Sequence, residues 1–283
     1  MRAEQITDPV AYHGEGPVWS ERWGGLCWVD MLAGDVLSLG ADGSVERKHV
    51  GSIAAAVRPR RAGGAVIAIE RGFALEAADG RVTALPPVWD DENVRMNEGG
   101  CDPQGRFYAG SMAYDKRPGA ASLYRLDPDE STAVVLEGVT ISNGIEWSPD
   151  GARVFYADTD TNRVDVFDHD PVRGVLSNRR PFIDFSAEKL RPDGLTVDAD
   201  GGVWVALANG GMVRRYDRAG RLDETIELPA RKVTACTIGG PALDTLFITT
   251  SREKIPPGED PLAGALFRAM VGPIGVPVRE FAG

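Results

Sequence analysis

Histidine, cysteine and helical periodicity are all scarce in this chain, and each scarcity removes a class of chemistry. The three cysteines, Cys27, Cys101 and Cys236, are odd in number, far apart and without a C-x-x-C pair, which argues against a disulfide framework, a thiolate zinc site and dithiol redox work. Free thiols in a reducing compartment are expected. His13, His49 and His169 are the only histidines; they are scattered, disfavour zinc and are read as structural. Positive charge is also short: 31 Lys and Arg face 42 Asp and Glu, a net charge of −11. Such a chain repels nucleic-acid phosphates and acidic lipid headgroups. No apolar run approaches the length of about 18 residues that a membrane helix needs, and the first residues lack the apolar segment of a secretory signal. A cytoplasmic protein with neither nucleic-acid nor membrane partners is expected. G-x-S-x-G, P-loop, G-x-G-x-x-G and H-E-x-x-H patterns are all missing, so the common serine-hydrolase, nucleotide and zinc-protease readings fail.

What is present is a sentence said six times. "GEGPVWSERWGGLCWVD" from Gly14, "AAAVRPRRAGGAVIAIE" from Ala54, "NEGGCDPQGRFYAGSM" from Asn97, "SNGIEWSPDGARVFYAD" from Ser142, "PDGLTVDADGGVWVALA" from Pro192 and "ACTIGGPALDTLFITTS" from Ala235 each join two short apolar runs through a turn. Asp150-Gly151 and Asp200-Gly201 sit between alternating apolar runs, a strong hairpin signal. Asp42-Gly43, Asp79-Gly80 and Ala219-Gly220 separate further strand pairs, and third strands begin near Leu123, Val164 and Val213. The stretch "PFIDFSAEKLRPDG" has room for one helical turn at most. Four strands per unit, repeated about every 40 to 50 residues, predict an all-β fold: one six-bladed β-propeller spanning 1–283, with four-stranded blades around a central channel. A β-sandwich or a pair of barrels has no need of one phrase at fixed spacing. The N-terminal segment Ala3 to Ile6 is expected to complete the C-terminal blade, since an unpaired edge invites aggregation.

The innermost strands of a propeller run along the channel, so equal phases of the repeats share one ring. Before the phase-marking glycine stand Glu15, Glu98 (following Asn97), Asn143 and Asp193, with small or apolar residues in units two and six. Glu15, Asn143 and Asp193 together offer two carboxylates and one amide oxygen, a donor set for a hard divalent cation. Calcium is the first expectation; magnesium, manganese, zinc and iron are the alternatives. Asn-Gly and Asp-Gly are also turn dipeptides, but a turn at Asn143-Gly144 crowds the one at Asp150-Gly151. "DTDTNR" from Asp158 opens like a calcium loop, yet Arg163 replaces its glycine and His169 stands where glutamate belongs; it is read as a polar connection.

At these residues the sequence resembles the regucalcin and gluconolactonase-like family of six-bladed propellers, which includes bacterial sugar lactonases. "GEGPVW", "RMNEGGCDPQGRFYAGSM", "SNGIEWSPDG", "RPDGLTVDADGGVWVA" and "ACTIGG" carry the resemblance across nearly the whole chain. It implies Glu15, Asn143 and Asp193 as metal ligands, Arg95 and Asn97 as substrate contacts, and Asp115 as a further acidic contact. The family reads Asn-Asp-Gly at Asn97-Glu98-Gly99 and Gly-Thr-Met at Gly110-Ser111-Met112; the longer Glu98 is expected to narrow the pocket or shift a hydrogen bond. The implied activity is metal-dependent hydrolysis of an aldonolactone, with the cation as Lewis acid and Asp193 as general base. Alternatives are a hydrolase of other cyclic esters or phosphotriesters, a calcium-binding regulator without turnover, and a propeller scaffold, which has no use for channel carboxylates.

Overall fold

Twenty-four strands, in a computed structural model that describes all 283 residues, form six four-stranded antiparallel sheets. The innermost strands of blades 1 to 6 are Gly14–Ser20, Ala54–Pro59, Val94–Cys101, Ser142–Trp147, Pro192–Val197 and Val233–Gly239. Each packs against the next around the ring, and the sixth against the first. This is the six-bladed propeller that the repeats predict. Three single 3-10 turns are the whole helical content, and no helix is long and apolar enough to cross a membrane. The core is apolar surface shared between neighbouring blades, such as the cluster that joins Val29, Ala56, Phe73 and Phe107. The three cysteines are free.

Closure follows the expected route. Glu4–Gln5 pairs with Phe267–Met270 as the outer strand of blade 6, so both ends of the chain build one sheet. A second device was not foreseen. After Met270 the chain runs across the far face of the ring and touches all six blades. Gly275 N–H donates to Leu243 O of blade 6, and Ile274 O accepts from Ala199 N–H of blade 5. Arg279 binds Glu146, Trp147 O and Ser148 O of blade 4. Ala282 bonds to Gly105 of blade 3, Phe281 pairs with Pro59 and Arg61 of blade 2, and Glu280 holds Arg22 of blade 1. Phe281 is fully buried in the core of blades 1 to 3. Val276 to Arg279 lie against the innermost strands on that face and line a void of about 40 Å³ there.

The near end of each innermost strand carries the same defect. Pairing with the second strand slips between Glu15 and Val18, Ala54 and Ala56, Met96 and Glu98, Ser142 and Ile145, Pro192 and Leu195, and Val233 and Cys236. A bulge frees side chains from the ladder and re-aims them; here they turn into the channel. The glycines beside them serve packing. A Cβ on Gly144 lies 2.5 Å from Leu195 N, and one on Gly194 lies 2.4 Å from the Ala235 Cβ, so any larger residue drives neighbouring blades apart. Asn143-Gly144 is therefore strand, and the turn falls at Asp150-Gly151, where Gly151 has φ +72°.

One phase assignment needs correction. In blade 3 the unpaired residue is Asn97, because Met96 pairs with Ser111 and Glu98 already pairs with Gly110. Asn97 thus occupies the position of Asn143 and Asp193, and Glu98 is one step further along. The bulge adds a residue that glycine spacing alone does not register.

Candidate metal and substrate site

The open end of the channel holds a cavity of about 410 Å³, into which Glu15 of blade 1, Asn143 of blade 4, Asp193 of blade 5 and Arg95 and Asn97 of blade 3 all project. All five are buried. Two of the strands are anchored just upstream by an aspartate at the end of the neighbouring second strand. Asp30 accepts from the N–H groups of Tyr12 and His13 at 3.0 and 2.9 Å, and Asp158 from those of Thr140 and Ile141 at 3.1 and 2.9 Å. These bonds fix the approach to Glu15 and to Asn143. They also give "DTDTNR" its structural role, since Asp158 opens a tight 3-10 turn, Thr159–Thr161.

The amide of Asn143 is oriented from behind. Its Nδ2 donates to Thr159 Oγ1 at 2.7 Å, and that hydroxyl donates to Pro192 O at 2.7 Å. Oδ1 is left facing the cavity, where Asn97 Nδ2 reaches it at 3.2 Å. Asn97 Nδ2 also donates to Ser142 O at 2.7 Å, while its Oδ1 accepts from Arg95 Nη1 at 2.8 Å. Arg95, Asn97 and Asn143 are thus one hydrogen-bonded chain. The Arg95 guanidinium lies over the Tyr114 ring, 5.8 Å from its centroid.

Electrostatically the floor is unbalanced. Burial, then the nearby charges of Asp193 and Glu98, hold the Glu15 carboxyl well above its ordinary value. Burial and the charge of Glu98 do the same to Asp193. Asp193 Oδ1 is a buried acceptor without a hydrogen-bond partner. Glu15 receives only the long bond from Gly16 N–H at 3.3 Å, with His13 Nε2 at 3.7 Å. His13 supplies no counter-charge, because burial, then Arg95, lowers its pKa to about 4. Buried carboxylates are tolerated when paired or bound to a cation, and a bound cation satisfies both. No trio of His, Cys, Asp and Glu side chains is arranged for a metal anywhere in the chain; the donor set here is two carboxylates and an amide oxygen. All-oxygen donors of this kind fit a hard divalent cation.

Glu98 does not line the cavity. Its Oε1 lies 3.4 Å from the point where a Cβ on Gly16 would stand, and its Oε2 is buried without a partner; burial pushes its pKa to about 7. Ser111 is also out of reach, its hydroxyl spent on the backbone of Ser122. Asp115 faces solvent and pairs with Arg117 at 3.0 Å, while its neighbours Tyr114 and Lys116 line the pocket. His49 and His169 are structural: His49 pairs with Asp35 at the surface, and buried His169 bonds Gly151 O.

Of a second ring, the sequence reading had reached only Arg95, through the family resemblance. His13, Arg95, Ile141, Arg191 and Lys232 line the cavity, and each stands two residues before Glu15, Asn97, Asn143, Asp193 and Thr234 respectively. The two-residue period of a strand puts both members of each pair on one face, so the signal was readable once the first ring had been chosen.

Six blades closed by both chain ends, with oxygen donors converging at one mouth, define a propeller with a small-molecule site at the end of its channel. The chain belongs to the SMP-30/gluconolactonase/LRE-like family, whose profile matches residues 13–252. It is 36% identical over 279 residues to regucalcin of Danio rerio, covering 95% of each chain. It is 34% identical over 290 residues to the provisionally assigned sugar lactone lactonase YvrE of Bacillus subtilis, covering 100% of this chain and 99% of that one. Among solved structures it resembles a calcium-binding protein, regucalcin, from Agrobacterium tumefaciens, with a TM-score of 0.92 at 26% identity over 99% and 96% of the two chains.

Proposed function

We propose that this protein hydrolyses a sugar lactone to its aldonic acid, with a divalent cation, calcium first among the candidates, held by Glu15, Asn143 and Asp193. The observation that carries the reading is the convergence of those three donors, from three blades, beside the Arg95–Asn97 pair. Family membership and the lactonase relative support the same reaction class. A bound divalent cation supplies Lewis-acid polarisation of the lactone carbonyl.

The chain's own residues do the rest. Arg95 Nη1 is committed to Met96 O and Asn97 Oδ1, at 2.9 and 2.8 Å, which fixes the guanidinium plane and leaves its other N–H groups for sugar hydroxyls or the ring ester. Asn97 couples that guanidinium to Asn143, so substrate and donor set are positioned by one network. Asp193 accepts the proton of the attacking water; its unpartnered Oδ1 is the free acceptor on the floor. A cation held by the same carboxylate would lower its basicity, and a lactone is a reactive enough ester for a weak base to suffice.

A pH-indicator assay on five- and six-membered aldonolactones tests this. Chelation is expected to abolish acid release and calcium to restore it, and Asp193→Ala to lose turnover by at least about 10²-fold, the usual scale for a general base. Acid release no faster than the spontaneous rate on every lactone overturns the proposal and leaves a calcium-binding protein without turnover.

A further inference from the structure

In a chain of net charge −11, the pocket is lined by five cations: Arg95, Lys116, Arg191, Lys232 and Lys254. Arg95 is buried with the donor set. The other four are more exposed and ring the mouth above it. Opposing charge there is thin. The Glu253 carboxylate is shared between Lys232 at 3.7 Å and Lys254 at 3.4 Å, and Asp160 faces Arg191 at 3.3 Å. Lys116 Nζ has no hydrogen bond and no ion pair. Burial, then Lys254, lowers its pKa; Glu253 opposes the fall, and Arg191 and Lys232 add to it.

The backbone adds a second observation. Lys116 and Lys254 hold φ values of 59° and 57°, in the left-handed region that lysine seldom adopts. Glu130, Asn178 and Leu243 share that conformation outside the pocket lining, so here it fixes where each lysine leaves the chain. A neutral polyol ring can take hydrogen bonds from these groups and leaves their charge uncompensated. An anionic group placed there supplies the charge that the rim lacks, through charge-assisted bonds.

We propose that the substrate of this site is a lactone bearing a second, anionic group, a carboxylate or a phosphate remote from the ring ester, held by Lys116, Arg191, Lys232 and Lys254. The proposal rests on the lactonase reading. Full-length calcium-loaded protein is assayed on glucono-1,5-lactone, its 6-phosphate and glucaro-1,4-lactone. At least one anionic lactone is expected to exceed the neutral one in kcat/KM by about tenfold or more, and whichever does so tells phosphate from carboxylate. Lys116→Asn, which keeps a side chain tolerant of the left-handed backbone, is expected to cut that ratio by about tenfold, the scale of one charged hydrogen bond. Wild-type preference is expected to shrink as salt screens the rim, a readout that survives if the variant fails to fold. A ratio near or below one, a ratio indifferent to salt, or one unchanged in both Lys116→Asn and Arg191→Gln overturns the anionic substrate while the lactonase stands. Failure on all three lactones overturns both.

Discussion

Thr159 decides which end of Asn143 faces the pocket. Its hydroxyl accepts the amide N–H and donates its own O–H to Pro192 O, so removing it frees the amide to rotate. On the calcium site proposed above, Thr159→Val is expected to weaken calcium binding by about 10 to 100-fold, as loss of an orienting partner commonly does; a titration calorimetry affinity equal to wild type rejects this role. Glu98 gives the residue scale its pH dependence. Its pKa rises from an ordinary 4.5 to about 7 through burial, so the folded chain binds a proton that the unfolded chain has released. Stability linked to Glu98 is complete below pH 4.5 and is lost as pH climbs towards 7. Denaturant midpoints of the chelated protein are expected to fall across that window, and less so in Glu98→Gln. The candidate donors, which the fold brings to one cavity, were legible as single residues because each precedes a glycine. His13, Arg191 and Lys232 were not, because the reading followed one position per repeat and passed over the same face one pleat earlier.

Among the elements, the innermost strand is where sequence and fold agree best and where the one phase error arose. Its apolar residues, hairpin turn and glycine recur in most units, so the blade count was readable. Register is a property of a pair of strands, however, and the bulge at Asn97 exists only once Met96 and Glu98 have found Ser111 and Gly110. The same closeness predicts a cost. Gly194→Ala places a methyl 2.4 Å from the Ala235 Cβ and 2.7 Å from its Cα, where no flexible side chain can yield. A loss of roughly 1–3 kcal/mol is expected from such overpacking, read as a lower urea midpoint with unchanged slope; wild-type stability shows that the blades have room to part.

At the scale of the molecule, closure by Glu4–Gln5 was foreseeable from the edge problem, whereas the closing segment after Met270 was not. "VGPIGVPVREFAG" has no strand period, and its partners are six turns dispersed over more than two hundred residues. Phe281 is its apolar anchor, fully buried among blades 1 to 3. Phe281→Ala is expected to cost about 3–5 kcal/mol, the range for deleting a core phenylalanine, and to lower the thermal midpoint. A midpoint within a degree of wild type makes the segment mere decoration.

With Val276 to Arg279 laid against the innermost strands on the far side, the candidate site is approached from its open mouth. On the lactonase proposal, the liberated acid is expected to compete with the lactone for the pocket itself, and turnover to slow as it accumulates.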